Sequence, residues 1–99
     1  MNYQFDWDPV KEQSNVRRRR LSFRRAASVF HDPNQLTLYD KEHSDREERW
    51  ITLGIDSVGM LLVVVHTFEQ LDANACRIRI ISARKAEPHE VAQYEEGNP

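Results

Sequence analysis

The stretch Arg77–Ala86, R-I-R-I-I-S-A-R-K-A, alternates charged and aliphatic residues before running into Ile81, Ser82 and Ala83. A period of two marks a strand with one buried and one polar face, so the spacing predicts a last strand over Cys76–Ala83. Arg77 and Arg79 leave it on the same side, and Arg84 follows just past its end. Guanidinium presents a planar fork of donors and keeps its charge, which suits a phosphate-bearing partner. A charged edge strand kept soluble is the competing reading.

Outward from that strand, Met60–Thr67 is almost wholly apolar and rich in β-branched residues. Such a run is a central strand covered on both faces, and His66 lies near its end. Trp50–Ile55 sets Ile51, Leu53 and Ile55 against Trp50 and Thr52, with a turn at Asp56–Gly59. Phe68–Ala75 reads as a polar loop or ragged hairpin. Leu36–Tyr39 is a short strand, followed by a charged loop from Asp40 to Arg46. Near the start, Tyr3, Phe5 and Trp7 share one side of a first strand. Asp8 then Pro9 opens a helix from Val10 to about Arg19, which puts Lys11, Asn15 and Arg18 or Arg19 on one polar face. Ser22 caps a second helix carrying Phe23, Ala26, Ala27 and Phe30 on its apolar side, ended at His31-Asp32-Pro33. Glu87-Pro88 opens a final helix through about Glu96. The order β-α-α-β-β-β-β-α predicts one α+β domain over residues 1–99, a mostly antiparallel sheet packed with helices.

Charged residues make up 30% of the 99 and apolar ones 39%, the latter in blocks, so the chain reads as folded with a very polar surface. Its single cysteine, Cys76, excludes an internal disulfide and fits a reducing cytoplasm. The N-terminus has no signal-like pattern, and the run Val58–Val65 is too short to span a bilayer, so no membrane partner is expected. Net charge is −2, yet Arg17, Arg18, Arg19, Arg20, Arg24 and Arg25 put six arginines into nine residues. An acidic molecule can carry a basic face. That run serves either as a solvated helix end or, with Lys11, as an anion-binding surface.

Among possible chemistries, Cys76 between strand isoleucines reads as a buried hydrophobe. His31, His43, His66 and His89 lack the H-x-x-x-H spacing of a metal pair, and no metal or other cofactor is expected. Phosphodiester cleavage fits better. Without a metal it needs a base for the 2′-OH proton, cations around the phosphorane and an acid for the leaving oxygen. Arg49, Arg79 and Arg84 can supply the charge, and His66, Glu48 or Tyr94 can move protons. Lys11, Arg18, Arg19 and Arg24 are the expected phosphate-binding set.

Four segments together resemble a known family: F-D-W-D-P-V-K-E-Q-S-N at Phe5–Asn15, L-S-F-R-R-A-A-S-V-F-H-D-P at Leu21–Pro33, H-S-D-R-E-E-R-W-I-T-L-G at His43–Gly54, and R-I-I-S-A-R-K-A at Arg79–Ala86 with Glu90 and Tyr94. In this order they are similar to the BrnT toxins. The resemblance implies a RelE-like fold, a ribonuclease that stops translation, and a neutralising BrnA-type antitoxin. It further implies that the antitoxin carries a DNA-binding domain, that contact with DNA is therefore indirect, and that toxin and antitoxin assemble as a heterotetramer. One departure stands out. Where the family usually has Lys-His-Gly before the L-S-F motif, this chain has Arg18-Arg19-Arg20. Arg19 stays protonated and cannot do an imidazole's acid–base work, so a weakened or inactive copy is one expectation. Arg20 takes a helix-ending position where glycine is easiest. The alternative to a toxin is a non-catalytic basic module that binds an acidic protein or nucleic acid.

Overall fold

The computed structural model describes residues 1–97. The strands are β1 (Asn2–Trp7), β2 (Leu36–Tyr39), β3 (Trp50–Ile55), β4 (Leu61–His66), β5 (Glu69–Asp72) and β6 (Ala75–Lys85), and the helices are α1 (Pro9–Arg19), α2 (Phe23–Ser28) and α3 (Pro88–Gly97). Single 3-10 turns cover Val29–His31 and Lys41–His43. The α+β class and the mostly antiparallel sheet are as the sequence predicts. There is one strand more than expected, because the segment read as a loop or ragged hairpin folds back on β6. Asp72 accepts the Asn74 amide at 2.7 Å to make that turn, and Glu69 pairs with Arg77 across it at 2.6 Å.

The sheet runs β1-β6-β4-β3-β2, with β5 also paired to β6. Only β1 runs parallel to its neighbour, Asn2 opposite Ala75 through Trp7 opposite Ile80. The long β6 therefore has two halves, the first held by β1 and β5 and the second by β4. Between them the register jumps from Val65 opposite Ser82 to His66 opposite Ile80, which leaves Ile81 as a bulge. A bulged residue reverses the inside–outside alternation beyond it. Ile78, Ile80 and Ala83 thus all enter the core, although simple alternation would put Ala83 outside. Arg84 lies within β6 and not past its end, and the same bulge turns it onto the face shared by Arg77 and Arg79.

Side-chain caps start the first two helices, and a left-handed residue ends α1. The Asp8 carboxylate accepts the Val10 amide at 2.9 Å, with Pro9 in the first turn. Ser22 Oγ accepts the Arg25 amide at the start of α2, and Glu12 reaches across from α1 to accept the Phe23 amide at 2.9 Å. At the end of α1, Arg20 adopts φ 60°, ψ 31° and donates its amide to Val16. The left-handed position is thus kept, with arginine in place of glycine, at a cost of about 1 kcal/mol or more.

The core lies on one face of the sheet. Leu21, Phe23, Ala26, Ala27, Val29 and Phe30 meet Leu62, Val64, Cys76, Ile78, Ile80 and Ala83, with Tyr3, Phe5, Trp7 and Met60 at the margin. Gly54 belongs to this contact, since a Cβ there would meet Val29 Cβ and its carbonyl oxygen at 3.0 Å. Asn15 is not an exposed member of a polar helix face. It is buried, donating to the Leu21 carbonyl and accepting the Ala83 amide, and so it occupies the edge of β6 where β1 has ended. Arg25 and buried Asp56 tie α2 to the β3–β4 turn at 2.7 Å. Burial alone pushes the Asp56 carboxyl up, but bonds from Met60, Arg25 and Val58 outweigh it and hold the group below its ordinary value.

On the opposite face α3 packs against β3, and its end reaches Leu36, which neighbours buried Leu53. Polar contacts from this helix reach both β6 and the loop after α2. Arg84 and Glu90 form a two-pronged pair at 2.7 and 2.8 Å, and Tyr94 donates to Asp32 at 2.6 Å.

Candidate active site

The part of that face left uncovered by α3 is a cleft of about 370 Å³. Its apolar floor is Ile51, Val63, Val65 and Ile81, and its polar wall is Asp40, Glu42, His43, Arg49, Ser82 and Arg84. Strand alternation supplies the floor, since Ile51 pairs with Val65 and both point away from α1 and α2. The bulge supplies Ile81, Ser82 and Arg84. Arg49 enters from the residue just before β3.

The two cleft arginines differ in how they are held. The bond to Glu90 raises the Arg84 pKa above its ordinary value, and Arg84 in turn holds the Glu90 carboxyl low. That pair engages Arg84 end-on through both terminal nitrogens, which fixes the plane of the guanidinium. Arg49 has only a loose contact to Glu47 at 3.5 Å, and its buried Nε has no hydrogen-bond partner among the described residues. A buried donor left unpaired costs about 1–3 kcal/mol, so this atom favours an incoming acceptor. A second recess, lined by Asn15, Arg18, Arg19, Ser82, Ala83 and Arg84, lies beside the cleft and shares Ser82 and Arg84 with it.

The expected site residues do not all gather here. Arg49 and Arg84 line the cleft, and Arg18 and Arg19 line the adjoining recess. Arg79 shares the face but is engaged by Asp6 across β1 at 2.7 Å, as Arg77 is by Glu69. Glu48 is exposed and lines neither hollow. Lys11 and Arg24 are exposed on α1 and α2, away from both. His66 is placed on the other side of the sheet and is 2% exposed. Its Nδ1 donates to the Thr67 carbonyl at 2.9 Å, and its Nε2 accepts from Thr52 Oγ1 at 2.7 Å. Desolvation lowers its pKa despite the Thr67 bond, so the ring is neutral and fully bonded. That fits a structural histidine and leaves it no route to the cleft. Tyr94 is similarly committed: burial and the Asp32 bond push its pKa up to about 12.

Sequence reasoning weighed His43 only as a metal ligand and read Asp40 only as the start of a charged loop. The signal was weak, since a histidine in a charged loop says nothing of which carboxylate it meets. No group of three or more histidine, cysteine, aspartate or glutamate side chains among the described residues is arranged to hold a metal ion.

The sequence profile of a family described as the ribonuclease toxin BrnT of type II toxin–antitoxin systems matches residues 7–90. The chain belongs to the BrnT family. The match spans both hollows and all of β2–β6. The fold agrees as well: the crystal structure of the Brucella abortus ribonuclease toxin BrnT, at 1.1 Å resolution, superposes with a TM-score of 0.59. Sequence identity is 20%, over 88% of this chain and 99% of that one. No curated protein sequence matches. As a member of a type II toxin family, this BrnT chain has an antitoxin as its implied partner. No helix among its described residues is long and apolar enough to cross a membrane.

Proposed function

We propose that this chain is a metal-independent endoribonuclease that blocks translation by cutting RNA in the cleft between the 40–49 loop and the second half of β6. The observation that carries this reading is the placing of Arg49 and Arg84 over one apolar floor, with Arg49 Nε buried and unpaired. Two cations beside an apolar surface, one fixed by Glu90 and one with a donor to spare, suit a phosphorane, whose charge grows as the 2′-oxygen attacks phosphorus. Arg18 and Arg19, across Ser82, extend the positive surface along an RNA backbone. Lys11 and Arg24 add to the field from outside the cleft. Arg79 contributes charge only once its Asp6 pair opens.

A BrnA-type antitoxin is the proposed partner, in a heterotetramer that meets DNA only through the antitoxin. Arg19 stands where the family usually has histidine, so this copy is proposed to be slow. The test is cleavage of bulk RNA by the purified chain in excess chelator, beside Arg84→Ala, Arg49→Ala and Arg19→His. Cleavage that survives chelation, falls about 10²-fold or more in each alanine variant and rises in Arg19→His supports the reading. Salt-sensitive binding without turnover in every folded variant replaces it with the basic binding module.

A further inference from the structure

We propose that His43, oriented by Asp40, is the catalytic proton carrier of this cleft; the inference rests on the ribonuclease reading. His43 ends the 3-10 turn after β2, and its Nδ1 lies 3.1 and 3.0 Å from the two carboxylate oxygens of Asp40. A carboxylate only accepts, so Nδ1 carries the hydrogen, and in the neutral form of the ring Nε2 presents its lone pair. Nε2 has no partner among the described residues, and the His43 side chain is 65% exposed while that of Asp40 is only 10% exposed. One end of the dyad is therefore anchored inside the protein, and the other is open in the hollow that Arg49 and Arg84 line.

The loop that carries the dyad is closed on itself. Asp40 donates its amide to the Arg49 carbonyl at 2.8 Å. Ser44 Oγ donates to the Asp40 carbonyl at 2.5 Å and accepts the Arg49 amide at 3.0 Å. These three bonds tie the backbone of the carboxylate to the backbone of the phosphate-seeking arginine, so the proton carrier and the cation keep a fixed relation. A constellation held by a supporting shell of this kind is what acid–base catalysis requires.

The step balances without a metal. Nε2 takes the proton from the 2′-OH, the 2′-oxygen bonds to phosphorus, and the bond from phosphorus to the 5′-oxygen breaks. The leaving oxygen takes a proton from water, and the imidazolium, stabilised by the Asp40 carboxylate, returns its own to solvent. The products are a 2′,3′-cyclic phosphate and a 5′-hydroxyl.

Single-turnover cleavage of a labelled single-stranded RNA by the full chain tests this, with His43→Ala, Asp40→Asn, Asp40→Glu and Arg19→His alongside. His43→Ala is expected to lower kcat by about 10²–10⁴-fold with KM little changed, and added imidazole to restore part of the loss. Asp40→Asn is expected to lower kcat at unchanged KM, with Asp40→Glu recovering part of it. Parent activity retained in folded His43→Ala overturns the inference and leaves the ribonuclease reading standing. A rise in KM without imidazole rescue overturns it too, making His43 a binding group. No cleavage by the parent or by Arg19→His removes the ribonuclease reading and the inference with it.

Discussion

On the helix-covered face of the sheet, His66 touches Phe30 edge-on at 4.9 Å and has both ring nitrogens bonded. A relay of hydroxyls continues from Thr52 to Thr37 at 2.8 Å. On the other face, His43 has one nitrogen bonded to a carboxylate and the other open to a cleft. The residue type is the same and the consequences are opposite. Burial with complete bonding makes an imidazole part of the scaffold, whereas half-bonding beside an open cleft leaves one ring nitrogen accessible. The arginines divide in the same way, since Arg25 is spent on Asp56 to hold α2 whereas Arg49 keeps a donor in reserve. The helix face should therefore govern stability, and the cleft face activity.

Substitutions on each face can break that division. The largest expected effect is Phe23→Ala, which empties the centre of the core at a cost of about 3–5 kcal/mol, read as a lower urea midpoint. A midpoint within error of the parent would mean that α2 is not what stabilises the sheet. Arg49→Ala should do the reverse, with about 10²-fold less cleavage and a midpoint within about 1 kcal/mol of the parent. Next comes Gly54→Ala, whose added methyl meets Val29 and should cost about 1–3 kcal/mol by overpacking, with no direct effect on cleavage by the folded fraction.

Acid provides a finer probe. His66 has its pKa lowered on folding, so the unfolded chain takes up that proton first as pH falls. Its contribution is complete above the unfolded value of about 6.5 and is lost as pH drops toward the lowered native value. A falling Tm in that window, flattened in His66→Gln, is the expected result; an unchanged slope in the variant would assign the loss elsewhere. The smallest expected effect has the opposite sign. Arg20→Gly relieves a left-handed arginine and should raise stability by about 1 kcal/mol, seen as a modest gain in Tm.

Much of the fold was legible because it is written locally. Asp8-Pro9 and Ser22 start helices through bonds to amides two or three residues away, and the alternation of Ile51, Leu53 and Ile55 needs no partner to be read. The expectation of strain at Arg20 also follows from one residue's backbone. What was not legible depends on residues far apart in the chain. Asn15 meets Ala83 across 68 positions. The apolar run around His66 marks its strand as central, but that its ring bonds Thr52, 14 positions away, is written nowhere near it. The candidate site was half legible: Arg84 was named by charge and pattern and Arg49 by the family resemblance, but whether a carboxylate such as Asp6 or Asp40 faces an arginine or a histidine is settled only by pairing.

The bulge at Ile81 gives β6 two reading frames. From Cys76 to Ile80, even-numbered positions belong to the interior; after the bulge, odd-numbered Ala83 does. Straightening the bulge with that residue retained would be a frameshift in three dimensions, presenting Ala83 to water and turning the Arg84 charge toward the apolar interior, whereas deleting Ile81 would leave both in their present phase. The core and the cleft are thus encoded on one strand in different phases, and one unpaired isoleucine keeps them apart.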